Sequence, residues 1–149
     1  MGKLETFNFD LKSGVFRYKV QNEEDFRRFN KVVWQRVSSR KNRRVIVLFD
    51  EISMYIGNNQ LAKYPFHKKM LLMGRAYGIG LWYAIQRPAL VDKSILSQSS
   101  YIISFQMDDL RDLSAISAYV NPEEIRKLKP FWYLYYDDSA DKVVKHAPV

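Results

Sequence analysis

Two short runs carry residue types suited to phosphate chemistry. Val45, Ile46, Val47, Leu48 and Phe49 form a continuous apolar run that stops at Asp50 and Glu51. A rigid strand can deliver such a pair to a site. Asp50 would then hold Mg2+, usually through water, and Glu51 would orient and activate an attacking water; acids that follow a strand by chance are the other reading. The second run, residues 81–85, is equally apolar and stops at Gln86, Arg87 and Pro88. Working residues of parallel sheets lie just past the carboxyl ends of strands, so both stops qualify.

The elements that must position them follow from periodicity. Residues 15–20 alternate, with Phe16, Tyr18 and Val20 on one side and Arg17 and Lys19 on the other, which predicts a strand. Asn22 caps a helix whose first turn holds Glu23, Glu24 and Asp25 and whose apolar stripe is Phe26, Phe29, Val33 and Val37. Residues 45–49 and 81–85 read as strands buried on both faces, as in a parallel sheet. Between them Pro65 opens a helix with Phe66, Met70, Met73 and Tyr77 inward, and Gly78 ends it. Asp92 caps a short helix, residues 101–105 predict a third buried strand, and a helix spans 109–119. Asn121 and Pro122 start another, and two strands flank residues 137–141 as a terminal hairpin. Alternating strands and helices imply an α/β fold.

Composition sets the bounds. The 149 residues fit one domain, and 47% hydrophobic with 15% aromatic residues supply a core, which excludes a disordered chain. Lys and Arg number 24 against 16 Asp and Glu, a net charge of +8 that favours phosphate polymers as partners. There is no cysteine, hence no disulfide, thiolate nucleophile or cysteine zinc site. No apolar run approaches the roughly 20 residues of a membrane span, and a cytoplasmic location is expected.

Residues 74–88 (GRAYGIGLWYAIQRP) closely resemble the HerA/FtsK family pattern of R-x-x-G-I, an apolar strand, then A-T-Q-R-P. With the strand ending in Asp50 and Glu51, which matches the Walker B pattern, the resemblance covers roughly residues 15–105. Ile85 stands where the family commonly has Thr. The family includes chromosome-segregation pumps, conjugative coupling proteins and viral packaging ATPases. The resemblance implies a partial RecA-like P-loop NTPase fold, mostly parallel with flanking helices and a C-terminal β-hairpin, as a single domain over residues 1–149. It implies ATP and Mg2+ as cofactors, double-stranded DNA as partner and a homo-oligomeric ring. Gln86 matches the polar sensor that reads the γ-phosphate. Arg75 matches an arginine able to act in a neighbouring subunit's site as an arginine finger, with Arg87 a weaker second; an ordinary solvated helix arginine is the other reading of Arg75.

No G-x-x-x-x-G-K-[ST] phosphate loop occurs, and Gly2-Lys3 is followed by Leu4. Against the family, the first strand, the phosphate loop and the first helix are missing. That departure leaves three readings: a fragment, a truncated paralogue, or one part of a split ATPase completed by a partner chain. The rival function is a non-catalytic DNA-binding or assembly module.

Other features carry less. Arg40, Lys41, Arg43 and Arg44 form a basic cluster, either a solvated turn or a contact to the DNA backbone. Residues 131–136 suit base stacking or, better, a buried strand. His67, beside Lys68 and Lys69, is expected at the surface, as is His146, and a transition-metal site is not expected.

Overall fold

The computed structural model describes residues 18–39 and 44–148. Of the strand expected over residues 15–20, residues 15–17 fall outside these, and 18–20 carry no regular structure. Contacts divide the chain into two compact units: residues 1–49 with 62–82, and residues 50–61 with 83–149.

In unit 1 the first helix, α1 (Glu23–Ser38), starts where its sequence demands. Asn22 is extended, and its side chain accepts the Asp25 N–H at 2.9 Å, while the Asp25 carboxylate accepts the Gln21 N–H at 3.2 Å. Two otherwise orphaned donors are thus satisfied reciprocally. Phe26, Phe29, Val33 and Val37 are buried as the stripe predicts. Phe26 packs edge-on against Phe49 and Tyr64, with ring centroids 5.9 and 5.2 Å apart. Burying a side chain of that size contributes about 1.5–3 kcal/mol.

Pro65 opens α2 (Pro65–Met73) as expected. Its buried face differs from the expected one: Met70 is buried, Met73 and Tyr77 are exposed, and His67 is fully buried rather than on the surface. His67 is drawn inward by Phe26 and Phe49 and by its bond to Asn30. After Met73 the chain tightens into a 3-10 turn over Gly74–Tyr77, which takes Tyr77 out of the α-helical phase. A Cβ on Gly74 would stand 3.0 Å from the Ile79 carbonyl oxygen, so this close return of the chain suits glycine. Gly78 then adopts φ 74°, the left-handed turn that starts the next strand.

Strands β1 (Val45–Asp50) and β2 (Ile79–Ala84) pair in parallel. The Val45 N–H donates to the Gly78 carbonyl at 2.9 Å, and the Glu51 N–H to the Ala84 carbonyl at 3.0 Å, so both run the same way. β1 is not buried on both faces: Val47 and Phe49 are buried, while Ile46 and Leu48 are 69% and 64% exposed. A continuous apolar run has two faces, and described residues cover one.

Unit 2 holds α3 (Lys93–Ser97), β3 (Tyr101–Phe105), α4 (Leu110–Ile116), α5 (Pro122–Arg126), β4 (Tyr133–Asp137) and β5 (Lys142–His146). Its core includes Ile52, Ile56, Val91, Ile95, Ile116, Ile125 and Leu134. Asp92 and Asn121 cap α3 and α5 as predicted. β4 and β5 form the terminal hairpin, with Asp137 opposite Lys142. β3 pairs antiparallel with β4, Tyr101 opposite Asp137, and its Tyr101, Ile103 and Phe105 are exposed rather than buried. In the run from Phe131, Leu134 and Tyr136 are buried, but Phe131 is 79% exposed at φ 65°. Among the described residues no helix is long and apolar enough to cross a membrane.

Candidate functional site

The carboxyl ends of β1 and β2 lie side by side because of the parallel register. Glu51 is bonded to Ala84, so Asp50, Glu51 and Gln86 gather at one end of this strand pair. Asp50 and Gln86 are exposed. Glu51 terminates β1 with φ 52° and ψ 54°, a left-handed conformation that a non-glycine residue holds at a cost of about 1 kcal/mol. Three contacts hold it there: its N–H to Ala84, the Met54 N–H donating to its carbonyl at 3.1 Å, and the Ser53 hydroxyl donating to its carboxylate at 2.6 Å. The last contact aims the carboxylate.

The loops beyond the two strands are fastened together. Asn58 donates its side-chain amide to the Ala89 carbonyl at 2.8 Å, and Gly57 bridges to Val91. Asp92 is buried, and its carboxylate accepts N–H groups from Leu61 at 3.1 Å and Ser94 at 3.0 Å. Burial pushes the Asp92 carboxyl up, but these backbone donors outweigh it and hold it below the usual carboxylate range.

Next to Gln86, Arg87 is clamped within its own unit. Its Nε donates to Asp112 at 2.6 Å and its NH2 to Asp109 at 3.0 Å. Asp112 is nearly inaccessible, and its second oxygen accepts the Ala89 N–H at 2.9 Å. Asp112, first of all, keeps the guanidinium protonated more firmly than usual. These contacts make Arg87 a poor finger for another subunit, since swinging out would strip a buried carboxylate of its cation. Asp112 and Asp109 were not singled out in the sequence. Asp109 reads there only as a helix start, and nothing local links either acid to Arg87.

Arg75 belongs to unit 1, where it is exposed in the 3-10 turn before β2. Of the basic cluster, Arg40, Lys41 and Arg43 lie outside the described residues, and Arg44 is exposed just before β1. Among the described residues no group of three or more His, Asp or Glu side chains is arranged to enclose a metal.

No protein-family profile matches the chain. The DNA packaging ATPase P9 of Enterobacteria phage PRD1 is 24% identical over 151 aligned positions, covering 93% of this chain and 62% of that protein. The genome packaging NTPase B204 of Sulfolobus turreted icosahedral virus 2, solved with ATP-gammaS, superposes with a TM-score of 0.72 at 25% identity, covering 82% of this chain and 62% of that one. The chain is similar in sequence and in fold to viral packaging ATPases. The bacterial conjugative coupling protein TrwB shares the fold, with a TM-score of 0.62 at 13% identity over 81% of this chain and 36% of its own length. The fold is thus that of RecA-like P-loop NTPases, with a parallel strand pair and flanking helices. The chain spans about 62% of the length of the packaging ATPases it matches.

Proposed function

We propose that this chain is part of the ATPase core of a DNA-packaging motor, contributing the residues that act on the γ-phosphate side of ATP. The carrying observation is the parallel register that sets Asp50 at the end of β1 and Glu51 and Gln86 just beyond adjacent strand ends, with Glu51 held in a left-handed turn. Similarity to packaging ATPases supports the same reading.

The residues present fit one half of a nucleotide site. Asp50 supplies an exposed carboxylate where the Walker B acid stands and would hold Mg2+ through water. Glu51, oriented by Ser53, accepts a proton from the attacking water and fixes its position. Gln86 offers an amide donor to a γ-phosphate oxygen. Bound Mg2+ neutralises charge on the phosphates. The phosphate cradle is not among these 149 residues, so a further segment or a partner chain carrying G-x-x-x-x-G-K-[ST] supplies it. Arg75, exposed on unit 1, serves a neighbouring subunit of a ring as the arginine finger.

The test is reconstitution with a segment bearing the phosphate loop, followed by ATP hydrolysis. Glu51→Gln lowers kcat about 10²–10⁴-fold with little change in nucleotide affinity, and Arg75→Ala lowers it about 10³-fold or more. Activity of Arg75→Ala is partly restored when it is mixed with Glu51→Gln, because a ring then contains sites with an intact finger and an intact base. Rates unchanged by Glu51→Gln and Gln86→Ala would reject the catalytic reading and leave a non-catalytic DNA-binding or assembly module.

A further inference from the structure

Charge is divided unevenly between the two units. Residues 1–49 with 62–82 hold 16 Lys and Arg against 5 Asp and Glu, net +11, whereas residues 50–61 with 83–149 hold 8 against 11, net −3. Within unit 1 the acids are Glu5, Asp10, Glu23, Glu24 and Asp25, and neither residues 26–49 nor 62–82 contain one. The unit that bears Asp50, Glu51 and Gln86 is acidic, and the α1–α2 unit carries the whole basic excess.

The described part of that excess has a defined surface. With Phe26, Phe29, Val33 and Val37 buried, α1 turns Arg27, Arg28 and Lys31 outward. Lys63, Lys68 and Lys69 are exposed at and near the start of α2. A groove of about 480 Å³ runs between the helices, walled by Arg27, Arg28, Lys31, Tyr64 and Phe66, with Glu24 at the acidic first turn of α1. Arg27 is preset over the Tyr64 ring, 5.0 Å from its centroid, and Glu23 holds it at 2.7 Å. The buried Asn30–His67 pair lines the same groove without adding an opposing charge.

We propose that the α1–α2 face receives the sugar-phosphate backbone of double-stranded DNA, without regard to sequence. Arg27 and Lys31 are one helical turn apart, about 6 Å along the axis, close to two axial phosphate steps of about 3.4 Å in one strand. Backbone contact to a duplex fits better than base stacking, since Tyr64 is buried beneath Arg27 and Phe66 lies beneath Lys69. The assignment deepens the packaging reading by naming the DNA-facing surface, and it rests on that reading only for the choice of DNA as the polyanion.

The experiment uses the 149-residue chain and a labelled random-sequence duplex, with affinity followed by anisotropy across a salt series. Lys31→Glu with Lys68→Glu is compared with Lys127→Glu with Lys145→Glu, an equal charge change in unit 2, and with Arg40→Glu with Lys41→Glu. None of these residues belongs to the proposed catalytic set, and far-UV circular dichroism checks the fold of each. The α1–α2 variant is expected to bind at least tenfold more weakly, equally on different sequences, and to flatten the slope of log K against log salt by about 2. The unit 2 variant stays within twofold of the parent. The inference is overturned if the two pairs weaken binding equally, if only the 40–41 variant weakens it, or if the parent binds no duplex. It is also overturned if the α1–α2 variant changes the sedimentation mass while leaving DNA affinity intact, because the face then belongs to a second copy. Hydrolysis by the completed ATPase, read separately through Glu51→Gln, shows whether the packaging reading stands whatever the fate of this surface.

Discussion

Lowering the pH from 7 to 5 destabilises the α1–α2 unit by about 2 kcal/mol through His67 alone. The ring is fully buried, with Phe26 and Phe49 against it at centroid distances of 5.7 and 5.0 Å. Its Nδ1–H donates to Asn30 Oδ1 at 2.9 Å, because the Asn30 amide nitrogen is committed to the Phe26 carbonyl at 2.6 Å. Burial lowers the imidazole from 6.5 to about 3. The folded pKa lies below the unfolded one, so below pH 6.5 the unfolded chain binds a proton that the folded chain refuses. Stability falls with pH through the window from 6.5 to 3 at up to about 1.4 kcal/mol per pH unit. At pH 5 the unfolded histidine is almost fully charged, which yields the stated figure. The assay is urea unfolding followed by tryptophan fluorescence at pH 7, 6 and 5, comparing the parent with His67→Gln. The parent midpoint falls steeply over that range and the variant midpoint falls less, and contributions common to both cancel in the difference. Equal pH slopes for parent and variant would refute the claim that this imidazole is buried neutral.

Three further outcomes follow from local geometry. Asp112→Ala leaves the half-buried Ala89 N–H without its acceptor and removes the main anchor of Arg87; a loss of about 1–3 kcal/mol is expected in chemical denaturation, with Asp112→Asn costing less because it still accepts one bond. Gly78→Ala forces a side chain into φ 74° at the residue whose carbonyl receives the first β1 hydrogen bond; it costs about 1–2 kcal/mol, whereas a loss under a few tenths would show that the turn relaxes. Asn22→Ala removes the acceptor of the Asp25 N–H, costs about 1 kcal/mol, and is read as faster amide exchange in the first turn of α1.

What the sequence determined by itself is what a few neighbouring residues decide. Asn22, Asp92 and Asn121 cap helices through donors two or three positions away, so their roles were legible from residue type and order. The same holds for the acids that end β1 and for the turn joining β4 to β5. The pairing of β1 with β2, and hence the approach of Asp50 and Glu51 to Gln86, followed from two apolar runs that each suit a parallel strand.

Only the tertiary structure decided which faces of those runs are covered. Ile46 and Val47 have nearly the same chemistry, and one is exposed and the other buried because of what packs against each side of β1. His67 looked like surface beside two lysines, yet Phe26 and Asn30 of α1 and Phe49 of β1 enclose it. The partners of Arg87 are 22 and 25 residues away, a separation at which no periodicity links an arginine to one acid among 16. Burial and ion pairing are properties of long-range contacts, and spacing along a chain encodes only the short-range ones.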